Sequence, residues 1–294
     1  MIFIGKIVLV MFLWAVCFPL IVAGFAYAPH LTFAALRAFV AGAALIGVGL
    51  ALGRPWPRGG KIWLTLVFVG LGATSVGYLG MFMASEFILP GIATVLANTQ
   101  PLMAAVLAGL VLNEKLGRIG WLGMALGLGG IVLIALPQMF TEQAGNFQLG
   151  LIYILMAAVG ITISNVLIRS IAGQVDPIMA MGAQLLIGGF PLLAGAYAFE
   201  DPSSVIWSAN FVMILLAISL LGSSLAYWLW GAILATAELS RANAFSFLVP
   251  VFGLAMGAVF FGERFGLIAF AGIGLTLVGI ALANRTPPKP KRSI

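Results

Sequence analysis

Two segments decide how this chain is read: LANTQPLMAAVLAGLVLNEKLG at residues 96–117 and FSFLVPVFGLAMGAVFFGERFG at residues 245–266. Each is an apolar run with a proline near its start, Pro101 or Pro250, and an acid–base pair near its end, Glu114-Lys115 or Glu263-Arg264. The two align at an offset of 149 positions, which also pairs Ser75 with Ser224, Tyr78 with Tyr227, Gly117 with Gly266, Gly123 with Gly272 and Gly130 with Gly279. Glycine coincidences are individually weak among 37 glycines, but serine, tyrosine, proline and glutamate recurring at one fixed offset mark an internal repeat.

Composition fixes the solvent around these segments. Charged residues make up 7% of the 294, apolar ones 63%, and mean hydropathy is +1.18. A water-soluble domain carries about 25% charged residues, so this chain lacks the polar side chains to cover an apolar core. Lipid is the expected surrounding. Abundant glycine fits close helix packing in a bilayer, where hydrophobicity itself does not drive helices together. A single cysteine and a single histidine exclude an internal disulfide framework and a histidine zinc cluster. The net charge of +6 reports orientation rather than nucleic-acid binding.

A spanning helix needs roughly 20 mainly apolar residues. Ten stretches qualify: 5–27, 31–52, 61–84, 90–112, 117–137, 148–169, 178–199, 208–234, 240–261 and 266–284. Turn or charged clusters separate them, and every loop is short. Ala26-Tyr27-Ala28 resembles a signal-peptide cleavage site. Pro29 and the spans that follow at once argue for a retained first helix instead. With the N-terminus inside, Lys6, Arg54, Arg58, Lys61, Lys115, Arg118, Arg169, Arg241 and the tail cations Arg285, Lys289, Lys291 and Arg292 share the cytoplasmic side. This predicts cytoplasmic termini in a bacterial inner membrane.

Five spans per half is an odd number, so the second half enters the membrane in the opposite sense. The expected fold is all-α: two inverted five-helix repeats over 1–140 and 141–284, with a basic cytoplasmic tail at 285–294. Inverted repeats recur in secondary transporters because two pseudo-symmetric halves open one central site to each side in turn. A membrane enzyme has no such need.

These residues resemble a known family. Proline-bearing fourth helices ending in glutamate-containing turns (LVLNEKLG at 110–117, VFFGERFG at 259–266), each followed by a glycine-spaced fifth helix, are similar to the drug/metabolite transporter superfamily in its EamA branch. PHLTFAALRAFVAGAAL at 29–45, with Arg37 early in the second helix, resembles that branch as well. The resemblance implies export of amino acids, aromatic ones among them, or other small metabolites. It further implies a cavity lined by spans 1, 3, 4, 6, 8 and 9, with 5 and 10 at the periphery.

Polar groups are costly in hydrocarbon, so clusters at mid-depth are candidates for a wet cavity. The fourth span offers Asn98 and Gln100 beside Pro101, and the ninth offers Asn243 and Ser246 beside Pro250. The sixth offers Thr162, Ser164 and Asn165, and the first Trp14 and Pro19. The three prolines are candidate kinks or gates, since each removes a backbone donor. Tyr78, Tyr227 and Trp228 add aromatic faces with polar handles; of Trp228 and Trp230, on different faces of one helix, at least one is expected to pack or meet lipid. A bland alternative for each amide is a bond between helices.

Arg37 is expected to snorkel to the outer interface, with carboxylate capture as the competing role. Cys17 is expected to be a small packing residue. Glu114 and Glu263 read as loop-ordering groups. The first span has no acid for proton-coupled drug exchange. With no Lys or Arg expected at mid-depth, a phosphorylated solute lacks partners. The expected activity is export of neutral or zwitterionic metabolites, amino acids first. Multidrug or toxic-metabolite efflux is the alternative within transport, and a lipid-modifying membrane enzyme the remote one. No cofactor, metal, nucleic acid or obligate protein partner is called for; a small-molecule substrate and the bilayer are.

Overall fold

A computed structural model describes residues 2–112, 117–139, 144–262 and 266–283. The turns bearing Glu114 and Glu263, and the tail at 285–294, lie outside the described residues. Helices fall on all ten apolar stretches: α1 (Ile2–Gly24), α2 (His30–Ala51), α3 (Gly60–Phe87), α4 (Pro90–Ala97), α5 (Gln100–Val111), α6 (Arg118–Met139), α7 (Ala144–Ser170), α8 (Pro177–Phe199), α9 (Ala209–Thr236), α10 (Leu239–Phe261) and α11 (Leu267–Ala283). Among the described residues, seven are long and apolar enough to cross a bilayer: α1, α2, α3, α7, α8, α9 and α10.

Local chemistry explains where several of them start and stop. Pro177 occupies the first turn of α8, where a missing N–H costs nothing, and the Asp176 carboxylate accepts from the backbone N–H of Ile178 (2.9 Å) and Met179 (3.2 Å). Ser208 caps α9 through the N–H of Phe211. Gly262, at φ 65°, ends α10 in the left-handed conformation that a glycine adopts without strain. The start of α2 is capped from far away. Glu200, at the end of α8, accepts from the N–H groups of Leu31 (2.7 Å) and Thr32 (2.8 Å) and from the Thr32 hydroxyl (2.9 Å).

The fourth stretch departs from a simple proline kink. The helix stops at Ala97, ahead of the proline, and restarts at Gln100, so Asn98 and Thr99 form a break in the middle of the stretch. Pro101 therefore stands in the first turn of α5, where its ring breaks no bond. In α10 the related feature is a tight 3₁₀ turn at Phe245–Phe247, with Pro250 in the first turn after it. Pro19 lies inside α1.

Packing repeats in pairs. α2 lies along α8 and α6 along α11, while α3 packs on α7, α1 on α9 and α10, and α4 on α10. Small residues make the closest crossings: a Cβ on Gly279 of α11 would stand 2.5 Å from the Gly127 nitrogen and 2.6 Å from the Gly123 carbonyl oxygen of α6. Two helices carry a wide π turn, Gly70–Val76 in α3 and Ala217–Leu225 in α9. Each π turn bonds its neighbour from the same two successive positions. The Ser75 hydroxyl donates to the Gly188 carbonyl (2.8 Å) and the Thr74 hydroxyl to Gln184 Oε1 (2.8 Å). In the other half, the Ser224 hydroxyl donates to the Ala41 carbonyl (3.0 Å), and the Ser223 hydroxyl accepts from Arg37 Nε (2.9 Å). Arg37 and Gln184 thus take corresponding bonding roles on α2 and α8, although the 149-residue offset itself pairs Arg37 with Leu186.

The loops sort into two ends. Arg54 faces Asp176 at 3.7 Å, Arg169 donates to the Leu234 carbonyl, and Arg241 pairs with Glu238 at 2.8 Å. At the opposite end His30 lies 3.8 Å from Glu86, Glu200 caps α2, and the Ile206 N–H donates to the Tyr27 carbonyl.

Candidate substrate cavity

The break between α4 and α5 opens on a space of about 90 Å³ among the helices of the bundle. Its walls come from α1 (Trp14, Cys17, Phe18), α3 (Ala73, Tyr78, Met81), the α4–α5 break (Ala97, Asn98, Gln100), α7 (Ala157, Ala158, Ile161, Asn165), α9 (Tyr227, Trp230) and α10 (Ser246, Val249). One further residue, Arg37, reaches in from α2. No residue of α6, α8 or α11 is among those lining it.

One wall is aromatic. The Trp14 ring meets Trp230 edge-on at 5.2 Å between centroids and Tyr227 at 6.2 Å, geometries that the ring quadrupoles favour. The rest of the lining carries polar side chains, and bonds to the frame orient the two amides among them. Trp230 Nε1 donates to Asn165 Oδ1 at 2.9 Å. An indole nitrogen only donates, so this bond sets the amide's orientation and leaves Asn165 Nδ2 without a protein partner. Asn98 Nδ2 donates to the Thr94 carbonyl at 2.8 Å, leaving its Oδ1 without one. Ser246 Oγ is likewise unpartnered. Buried polar atoms are nearly always satisfied, so three unpartnered groups on residues that line one space make it the candidate place for solute or water.

Arg37 corrects the expectation from sequence. Its side chain does not snorkel: the residue is 1% exposed. The guanidinium sits 4.2 Å over the Tyr78 ring; Nε donates to Ser223, Nη2 contacts Cys17 Sγ at 3.3 Å, and Nη1 has no partner. The Tyr78 hydroxyl shares a 2.8 Å hydrogen bond with the same Ser223. The expectation that no Arg lies at cavity depth is therefore overturned. Cys17 is also more than filler, since it lines the cavity and touches the cation.

Among the other candidates, Gln100 lines the space, whereas Ser164 is spent on packing, donating to the Val69 carbonyl at 3.1 Å and tying α7 to α3. Asn243 is fully buried with neither amide atom partnered, yet is not among the lining residues. Trp228 is 39% exposed and lies on the outer face of α9, away from the cavity; its neighbour Trp230 takes the inward position. Successive residues two apart on a helix point to nearly opposite faces, so one of the pair had to face out.

Residues 1–136 and 148–285 match the EamA-like transporter family. The chain is 33% identical over 260 residues to a WAT1-related chloroplastic protein of Arabidopsis thaliana, covering 85% of this chain and 62% of that protein, less than two thirds of its length. It is 30% identical to an uncharacterized transporter of Synechocystis, with 84% and 81% covered. It is 29% identical to a probable amino-acid metabolite efflux pump of Salmonella typhimurium, with 92% and 91% covered. A solved crystal structure shares the fold at a TM-score of 0.78 and 19% identity, over 94% of this chain and 96% of that one. With the apolar helices and the cavity described above, these matches show that the chain is a multi-pass membrane protein belonging to the EamA-like transporter family of the drug/metabolite transporter superfamily.

Proposed function

We propose that the chain is a secondary exporter of small zwitterionic metabolites, amino acids first, working by alternating access in a bacterial inner membrane. The observation that carries this reading is the set of unpartnered groups on residues that line one cavity: an amide donor at Asn165, an amide acceptor at Asn98 and a hydroxyl at Ser246, in a lining that also includes Trp14, Tyr227 and Trp230. A zwitterion needs both donors and acceptors, and apolar surroundings make each bond count for more. The efflux-pump name of the Salmonella relative supports the substrate class and the outward direction.

Two inverted halves, 1–140 and 141–284, supply the motion in this reading. The twice-repeated bonding of a π turn to the neighbouring helix supports such a pseudo-twofold relation, and the sorting of basic loops to one end supports cytoplasmic termini. At about 90 Å³ the cavity is smaller than the ~150 Å³ space that accepts a benzene molecule, so larger side chains enter only as the halves rock apart.

The test is transport into proteoliposomes holding the purified chain, with a labelled panel of amino acids, nucleosides and cationic dyes, with and without a proton gradient. Saturable movement of amino acids supports the reading; movement of dyes alone, or of nothing, overturns it.

A further inference from the structure

We infer that Arg37 is the anchor for a free carboxylate, so that this cavity takes solutes carrying one and rejects the matching amides and amines. The inference rests on the export reading above and gives it a chemical requirement.

Arg37 is buried to 1% exposure, and among the described residues its contacts are neutral: the Tyr78 ring, the Ser223 hydroxyl and the Cys17 sulfur. A cation so placed costs several kcal/mol of desolvation unless an anion joins it. One guanidinium nitrogen, Nη1, has no protein partner, and the residue lines the cavity. A guanidinium presents parallel N–H groups that match the two oxygens of a carboxylate. Asn165 Nδ2, free for the reason given above, is a second donor on the same cavity.

The corresponding bond in the other half shows that packing does not require this charge. Gln184 on α8 bonds a π-turn hydroxyl (Thr74, 2.8 Å) as Arg37 on α2 bonds Ser223 (2.9 Å). Gln184 is fully buried and is not among the residues lining the cavity. A neutral amide thus suffices to join the two helices. The fold keeps a cation only on the side that opens to the cavity, where it can act on a solute.

The test is equilibrium binding to the full chain in proteoliposomes, read by tryptophan fluorescence, since Trp14 and Trp230 line the space. Two series serve as probes: L-alanine, L-alaninamide and ethylamine; and L-phenylalanine, L-phenylalaninamide and phenethylamine. In whichever series responds, the carboxylate-bearing member should bind about tenfold or more tightly than its amide and amine, as loss of a charge-assisted bond implies. Arg37→Gln, which installs the side chain of its bonding counterpart Gln184, should abolish that preference, bringing the amino acid's affinity to that of its amide. Arg37→Lys should keep part of it. Equal binding of amino acid and amide by the wild type overturns the anchor and leaves the transporter reading standing, as does a folded Arg37→Gln protein with the preference intact. No response to any of the six compounds removes both. Should Arg37→Gln fail to fold, the wild-type ratios decide alone.

Discussion

The indole nitrogen of Trp230 holds the Asn165 carboxamide at 2.9 Å, and that bond determines which face of the amide the cavity sees. Trp230→Phe keeps an aromatic ring beside Trp14, a smaller one, but removes the donor. The amide is then free to rotate and present either oxygen or nitrogen. The expected outcome is a KM raised about threefold to tenfold with maximal rate retained, and roughly 1 kcal/mol less stability. Asn165→Ala should raise KM at least as much. Because both act through one group, the double variant should be no worse than Asn165→Ala alone. Initial-rate transport by the four proteins checks this; additive losses would mean that the two side chains work separately.

Glu200 ties the end of α8 to the first turn of α2, satisfying two backbone donors that no residue of α2 itself satisfies. A carboxylate there also meets the positive end of the helix dipole. Glu200→Ala should cost about 1–2 kcal/mol, and Glu200→Gln, which keeps an acceptor but not the charge, about half of that. Thr32→Val removes only the side-chain bond and should cost less than either. Thermal melts in detergent at neutral pH give the order, and a Glu200→Ala protein as stable as the wild type refutes it.

Gly279 and Gly274 share α11 but not its crowding. A methyl group on Gly279 would press on the backbone of Gly127 and Gly123, whereas one on Gly274 meets nothing within 4 Å. Backbone does not yield as a side-chain tip does, so Gly279→Ala should destabilise by about 1–3 kcal/mol, while Gly274→Ala is neutral or slightly stabilising through helix propensity. Neither helix of this crossing lines the cavity, so transport per folded molecule should be unchanged in both. Melting temperature and rate per active protein, measured together, separate packing from function.

Helix placement was legible from sequence because it follows from apolar run length and from turn residues, both local signals. That Asn98, Asn165 and Ser246 line one space was foreseeable for the same reason: they are polar where hydrocarbon penalises polarity. The fate of Arg37 was not. Its position near the start of α2 fits snorkelling as well as burial, and what decides is Ser223, 186 residues away, presented by a π turn that no local pattern announces. Cys17 acquires its place only through that same arginine. For Trp228 and Trp230 the spacing says that they oppose each other, and only packing against Trp14 says which faces in. The stop at Ala97 also escaped, because Pro101 draws attention to itself although the chain breaks ahead of it.

The sidedness of the loops yields a test that does not depend on substrate. Arg58 and Gln174 belong to the end that gathers Arg54, Arg169 and Arg241, and Glu86 and Asp201 to the end held by the Glu200 cap. All four positions are exposed. The chain's one cysteine, Cys17, is buried and can become Ser, which keeps an acceptor near Arg37. Single cysteines at 86 and 201 should react with a membrane-impermeant maleimide added to intact cells. Those at 58 and 174 should react only after the membrane is opened, because positive charge is retained on the cytoplasmic side. Reversal of all four would invert the orientation while keeping the two-ended arrangement. A mixed result, with 58 reactive from outside and 174 not, would break the arrangement itself, and with it the inverted pairing from which alternating access is argued.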